Sequence, residues 1–95
     1  SIFLLPIANS ITHIFLKNTE LVPSTLEQML FEVPFASLPA DMIDTVTVDL
    51  DGMPAGTTLT VKDIPEFQSG KIELQIDADS MVLRIVDKKR AVEEA

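Results

Sequence analysis

The residues of this chain that could do chemistry are mostly carboxylates, and their spacing decides what they can do. Asp49-Leu50-Asp51-Gly52 opens like a calcium-binding loop. Such a loop needs a further oxygen ligand at its fifth position and a glutamate at its twelfth. Counted from Asp49, those positions hold Met53 and Thr60, and neither is a carboxylate. The pair therefore reads as a polar turn, and no metal is expected. Asp77 and Asp79 also stand two residues apart, in Asp77-Ala78-Asp79-Ser80. Paired carboxylates do acid–base work when they are buried together; in a solvated turn they are turn formers. His13 is the only histidine. A catalytic histidine needs an orienting carboxylate and a nucleophile or proton donor, and no Gly-x-Ser-x-Gly elbow is present. Three glycines are too few for a phosphate cradle. The catalytic, cofactor and metal sets are all empty, and the chain is not expected to be an enzyme.

Charge excludes a second class of function. Seven basic residues face fifteen acidic ones, for a net charge of −8. A nucleic-acid surface needs clustered lysine and arginine to displace counterions from phosphate. Three of the seven sit together at Lys88-Lys89-Arg90, followed by Glu93-Glu94, which gives weak attraction at most. Tryptophan and tyrosine are absent, so stacking platforms for bases are scarce. No direct nucleic-acid binding is expected of residues 1–95. The longest apolar run, residues 2–8, is interrupted by Pro6 and is far short of the roughly 20 residues of a membrane helix. There is no cysteine, which excludes disulfides and thiolate zinc sites and suits a reducing cytoplasm.

The elements that must position any functional residue are strands. Residues 1–95 have room for one domain. A chain that begins at Ser1 is read as a piece of a longer protein or a processed product. Residues 1–10 are a first strand or a linker, with a turn signal at Asn9-Ser10. Ile11 to Leu16 is β-branched and apolar enough for a strand that Lys17-Asn18 ends. Over residues 26–36 the apolar set Met29, Phe31, Val33 and Phe35 recurs with period two, which predicts one strand with its stripe in the core and Pro34 at an edge or bulge. Ser24 with Glu27 three residues later could open it with a helical turn.

Val46, Val48 and Leu50 alternate with Thr45, Thr47 and Asp49, and Leu59 and Val61 alternate with Thr58, Thr60 and Lys62. The turn Met53-Pro54-Ala55-Gly56 lies between them, so residues 45–62 read as a β-hairpin. Ile72, Leu74 and Ile76 alternate with Lys71, Glu73 and Gln75, and a second alternating run follows at residues 81–86. These predict a second hairpin over residues 71–86, with a charged tail at 87–95. The fold class is mainly β: antiparallel hairpins in an irregular sandwich or barrel, with at most one short helix. Phe3, Phe67 and Met42 lack an inward partner in this pattern. They either close the ends of the sandwich or face a protein partner, with Met42 and Phe67 as candidate contacts.

The run Leu38-Pro39-Ala40-Asp41-Met42-Ile43, Val46-Thr47-Val48-Asp49-Leu50, Met53, Gly56 and Thr60-Val61-Lys62-Asp63-Ile64 resembles the carboxy-terminal β-domain of the bacterial ribosomal protein twenty-five family. The form meant is the long one, the general stress protein CTC type. The resemblance covers roughly residues 11–86. It implies a cytoplasmic ribosomal protein of the large subunit, part of a ribonucleoprotein. It also implies that 5S ribosomal RNA is bound only through a separate amino-terminal domain that these residues do not include. This domain would then contact a ribosomal protein or a stress factor. The alternative is a free-standing protein-interaction module of similar fold with no ribosomal role.

Overall fold

The computed structural model describes residues 6–22 and 25–87. Within them the chain forms seven strands and no α-helix; the remaining regular structure is 3-10. The strands are β1 (Ala8–Lys17), β2 (Thr25–Gln28), β3 (Glu32–Ser37), β4 (Thr45–Asp49), β5 (Thr58–Thr60), β6 (Ile72–Leu74) and β7 (Met81–Val86). They make two open sheets, one in the order β4-β1-β3-β6 and one in the order β2-β7-β5, with no closed barrel. β1 runs antiparallel to β3 and parallel to β4. The period-two stripes bury Ile14 of β1, Val33 and Phe35 of β3, and Val46 and Val48 of β4. Val82 and Leu83 of β7 meet Ile14, Val33, Val46 and Val48 in one apolar cluster, so the core joins the two sheets. Asn9 and Ser10, expected as a turn, instead lie inside β1 opposite Ala36 and Phe35.

Neither expected hairpin forms. β4 pairs with β1, and β5 pairs with β7 in the other sheet. Two successive turns carry the chain across. Met53 N–H donates to Leu50 O at 3.1 Å, and Thr57 N–H donates to Pro54 O at 3.2 Å. The second turn is thus Pro54 to Thr57, one residue later than its sequence signal. Each turn places a glycine third, Gly52 at φ 83° and Gly56 at φ 93°, where a side chain would be strained. In the same way, β6 pairs with β3 and β7 with β2 and β5, so residues 75–80 are another crossing between sheets.

The predicted strand over residues 26–36 is also two strands in two sheets. The N–H groups of Met29 and Leu30 both donate to Val82 O of β7, at 2.8 and 3.1 Å, while Phe31 O accepts from Ile14 N–H of β1 at 2.9 Å. The chain changes sheets within three residues, and the stripe breaks there. Val33 and Phe35 are buried as expected, but Met29 and Phe31 are exposed. Pro34 lies in an interior strand rather than at an edge. Its carbonyl accepts from Gln75 N–H at 3.0 Å, so its nitrogen points the same way, just past Leu74 where β6 ends. The missing donor therefore forfeits only one bond of the last pair, opposite Gln75.

One buried polar tie fixes β1 to the segment before β4. Thr12 is fully buried, and its hydroxyl donates to Ile43 O at 2.7 Å. Thr12→Val keeps the shape and removes the donor. It should cost about 1 kcal/mol, the usual net value of a neutral hydrogen bond, read as a lower urea midpoint at unchanged slope. A midpoint equal to the wild type would show that Ile43 O finds water instead.

Candidate interaction surface

The outer face of the first sheet carries apolar side chains where polar ones are usual. Residues 11, 13 and 15 of β1 point to that face, and they place Ile11, His13 and Phe15 in a row. The register sets Pro34 beside Ile11, Glu32 beside His13, and Thr47 beside Phe15. His13 Nδ1 lies 3.4 Å from Glu32 Oε2. The sheet crossing adds Phe31, held next to β1 by the Ile14–Phe31 hydrogen bond. Phe15 is 55% exposed and Phe31 60%. Between them runs an open groove of about 550 Å³, lined also by Leu16, Leu26, His13 and Glu32. Two exposed aromatic rings at an apolar groove are what a protein-contact surface presents. Sequence alternation alone assigned Phe31 to the core, and nothing local in the sequence marks the sheet crossing that exposes it.

The two candidate contacts named from sequence part company. Met42 follows the 3-10 turn Pro39–Asp41 and is 37% exposed. Phe67 is 5% exposed and belongs to the core cluster. It sits in the 3-10 turn Pro65–Gln68, which follows a second such turn, Val61–Asp63. Successive 3-10 turns align residues three apart, so Val61, Ile64 and Phe67 all point inward. That spacing was available in the sequence and is the signal that locates Phe67. The first of these turns is held by a capping box in which the Asp63 carboxylate accepts from both Thr60 N–H and the Thr60 hydroxyl, each at 2.9 Å. Those bonds hold the Asp63 carboxyl below its ordinary pKa.

The aspartates that could have been ligands are occupied as turn formers. Asp49 Oδ1 accepts from Asp51 N–H at 3.0 Å and from the Asn18 amide at 2.7 Å. The Asp51 bond, then the Asn18 bond, lowers the Asp49 pKa. Asp77 Oδ1 accepts from Asp79 N–H at 2.9 Å. Asp79 is paired with Lys62, whose pKa that hydrogen bond raises. Among the described residues no three metal-ligating side chains come together. The basic stretch Lys88-Lys89-Arg90, Phe3 and the Ser24 cap lie outside the described residues.

Comparison with known proteins covers most of the chain. Residues 15–89 match the family model described as ribosomal protein TL5, C-terminal domain. The large ribosomal subunit protein bL25 of Chlorobium phaeobacteroides (strain BS1) is 32% identical over 65 residues, which is 67% of this chain and 31% of that protein. The bL25 protein of Enterococcus faecalis (strain ATCC 700802 / V583) is 31% identical over 70 residues, 74% of this chain and 34% of that protein. The chain spans about a third of the length of these curated relatives.

Proposed function

Because the chain belongs to the family of ribosomal protein TL5 C-terminal domains, we propose that it is the protein-contacting part of a bacterial large-subunit ribosomal protein whose RNA binding resides in another domain. The family is one of bacterial ribosomal proteins, its setting is the cytoplasm, and the domain is non-catalytic. The observation that carries the reading is the exposed apolar groove at Phe15 and Phe31, on a chain of net charge −8. An acidic surface is repelled by phosphate, whereas exposed aromatic rings gain from burial against protein. The partner at this groove is a ribosomal protein or a stress factor, and the domain joins it to an RNA-bound sister domain.

Gel shift with 5S ribosomal RNA at about 0.1 M salt tests the RNA half, since a Debye length of roughly 10 Å still lets charge be felt. Residues 1–95 are expected to give no saturable shift below about micromolar RNA, the range in which specific binders saturate. The same chain should co-sediment with isolated large subunits, and Phe31→Ser should weaken that. A saturable shift with naked 5S RNA would overturn the reading, as would co-sedimentation that ignores Phe31.

A further inference from the structure

β4 is the longest of the four edge strands among the described residues, five residues against four in β2 and three each in β5 and β6. β4 ends its sheet, with β1 on one side and no described strand on the other. Asp44 O accepts from His13 N–H, and Leu50 N–H donates to Lys17 O, both at 2.9 Å. Residues 44, 46, 48 and 50 therefore turn their backbone groups to β1, and Thr45, Thr47 and Asp49 turn theirs outward. No described residue pairs with those outward groups. Edge strands are usually blunted by shortness, bulges, proline or lysine. β5 and β6 are three residues each, and β5 has a register shift at Leu59/Thr60. β4 is five regular residues, Thr-Val-Thr-Val-Asp, with no proline, lysine or bulge and a single charge, Asp49, at its end.

Alongside this edge lies a groove of about 330 Å³. Its accessible apolar lining is Met53, Leu59 and Pro65, and its carboxylates are Asp49, Asp63 and Glu66. Asp49 and Asp63 spend one oxygen each on the Asx turn and the capping box. Their other oxygens, and both of Glu66, have no partner among the described residues.

We propose that the outer edge of β4 and the adjacent groove receive an extended segment of a partner protein in which apolar and basic residues alternate, added to the sheet as a further strand. The five residues of β4 offer about 16 Å of edge, at roughly 3.3 Å per residue. Three outward residues provide three donors and three acceptors to the incoming backbone. Alternate side chains of an added strand point to opposite faces. One set meets Met53, Leu59 and Pro65, which requires apolar residues. The other set and the strand ends meet three carboxylates, which requires lysine or arginine. Charge also selects against the other occupants of an open edge. A second copy brings another −8, and RNA brings phosphate, so both are repelled. The proposal stands on β4 alone and is tested on the free chain, so its failure leaves the ribosomal reading intact.

The probe is an acetylated, amidated decapeptide of alternating valine and lysine, titrated into the isotope-labelled chain at about 50 mM salt and followed by amide NMR. Saturable shifts are expected at the amides of Thr45, Thr47 and Asp49 and in residues 63–66. Glu66→Lys should weaken binding about fivefold to tenfold, because reversing one exposed charge changes an ion-pair energy by about 1 kcal/mol or slightly more. Thr47→Pro removes an outward N–H without touching the bonds to β1 and should weaken binding at least as much; if it unfolds, Glu66→Lys remains the reading. Equal binding of a valine–glutamate decapeptide would overturn the proposal. So would shifts confined to other surfaces, concentration-dependent self-pairing at β4 without peptide, or displacement of the peptide by RNA from the same amides.

Discussion

Phe35→Ala is expected to remove about 3–5 kcal/mol of unfolding free energy, whereas Phe31→Ala should shift it by less than about 0.5 kcal/mol. The two phenylalanines stand four residues apart on one alternating stripe. Phe35 is 0% exposed, in β3 between Ser10 of β1 and Leu74 of β6. Truncating it loses the transfer energy of a whole ring and leaves a cavity that two flanking strands cannot close. Phe31 sits where the chain passes from one sheet to the other, and its ring faces water. A small domain holds only about 5–15 kcal/mol in total, so the first variant should move a guanidinium midpoint far and the second hardly at all. Comparable losses would mean that residues 26–36 form one strand with a continuous buried stripe rather than crossing between sheets at residues 29–31.

Phe67→Ala is the second large effect, also about 3–5 kcal/mol. The ring fills the cluster with Val61, Ile64, Val82 and Leu83. The two 3-10 turns that present it are tied to residues 78–80 by Val61 N–H to Ser80 O and Lys62 N–H to Ala78 O, but Phe67 is the largest apolar group they place in the core. The loss should therefore extend to the neighbouring capping box, with the Thr60 and Asp63 amides exchanging faster than in the wild type. The distinction matters for function. A Phe67 variant would lose partner binding only as far as it unfolds, while Phe31→Ser would lose binding with stability intact. A Phe67→Ala protein with an unchanged midpoint would put that ring at the surface and restore it as a contact. The pair separates folding from recognition in a domain whose recognition surface is itself apolar.

The amino-acid sequence by itself determined the mainly β character and the buried faces at Val46-Val48 and Val33-Phe35. Alternation at Val46-Val48, Val33-Phe35 and Ile72-Leu74 is a local property, because side chains on a strand have a period of two whatever the strand pairs with. The turn residues at 51–57 and 77–80 are local too, set by glycine φ and aspartate hydrogen bonds to the neighbouring backbone. The family resemblance was legible through the order of those same residues. Strand pairing was decided only in three dimensions. Two alternating stripes joined by a turn can form a hairpin or belong to facing sheets, and both outcomes bury the same valines. Here the alternatives were settled by contacts between distant segments: β1 takes the seat beside β4, and β7 the seat between β2 and β5. Those choices turned both expected hairpins into crossings. The same long-range choices exposed Phe31, buried Phe67 and left the backbone of Thr45, Thr47 and Asp49 facing outward. The surfaces on which this protein can act are products of pairing, and pairing is written in no single stretch of the chain.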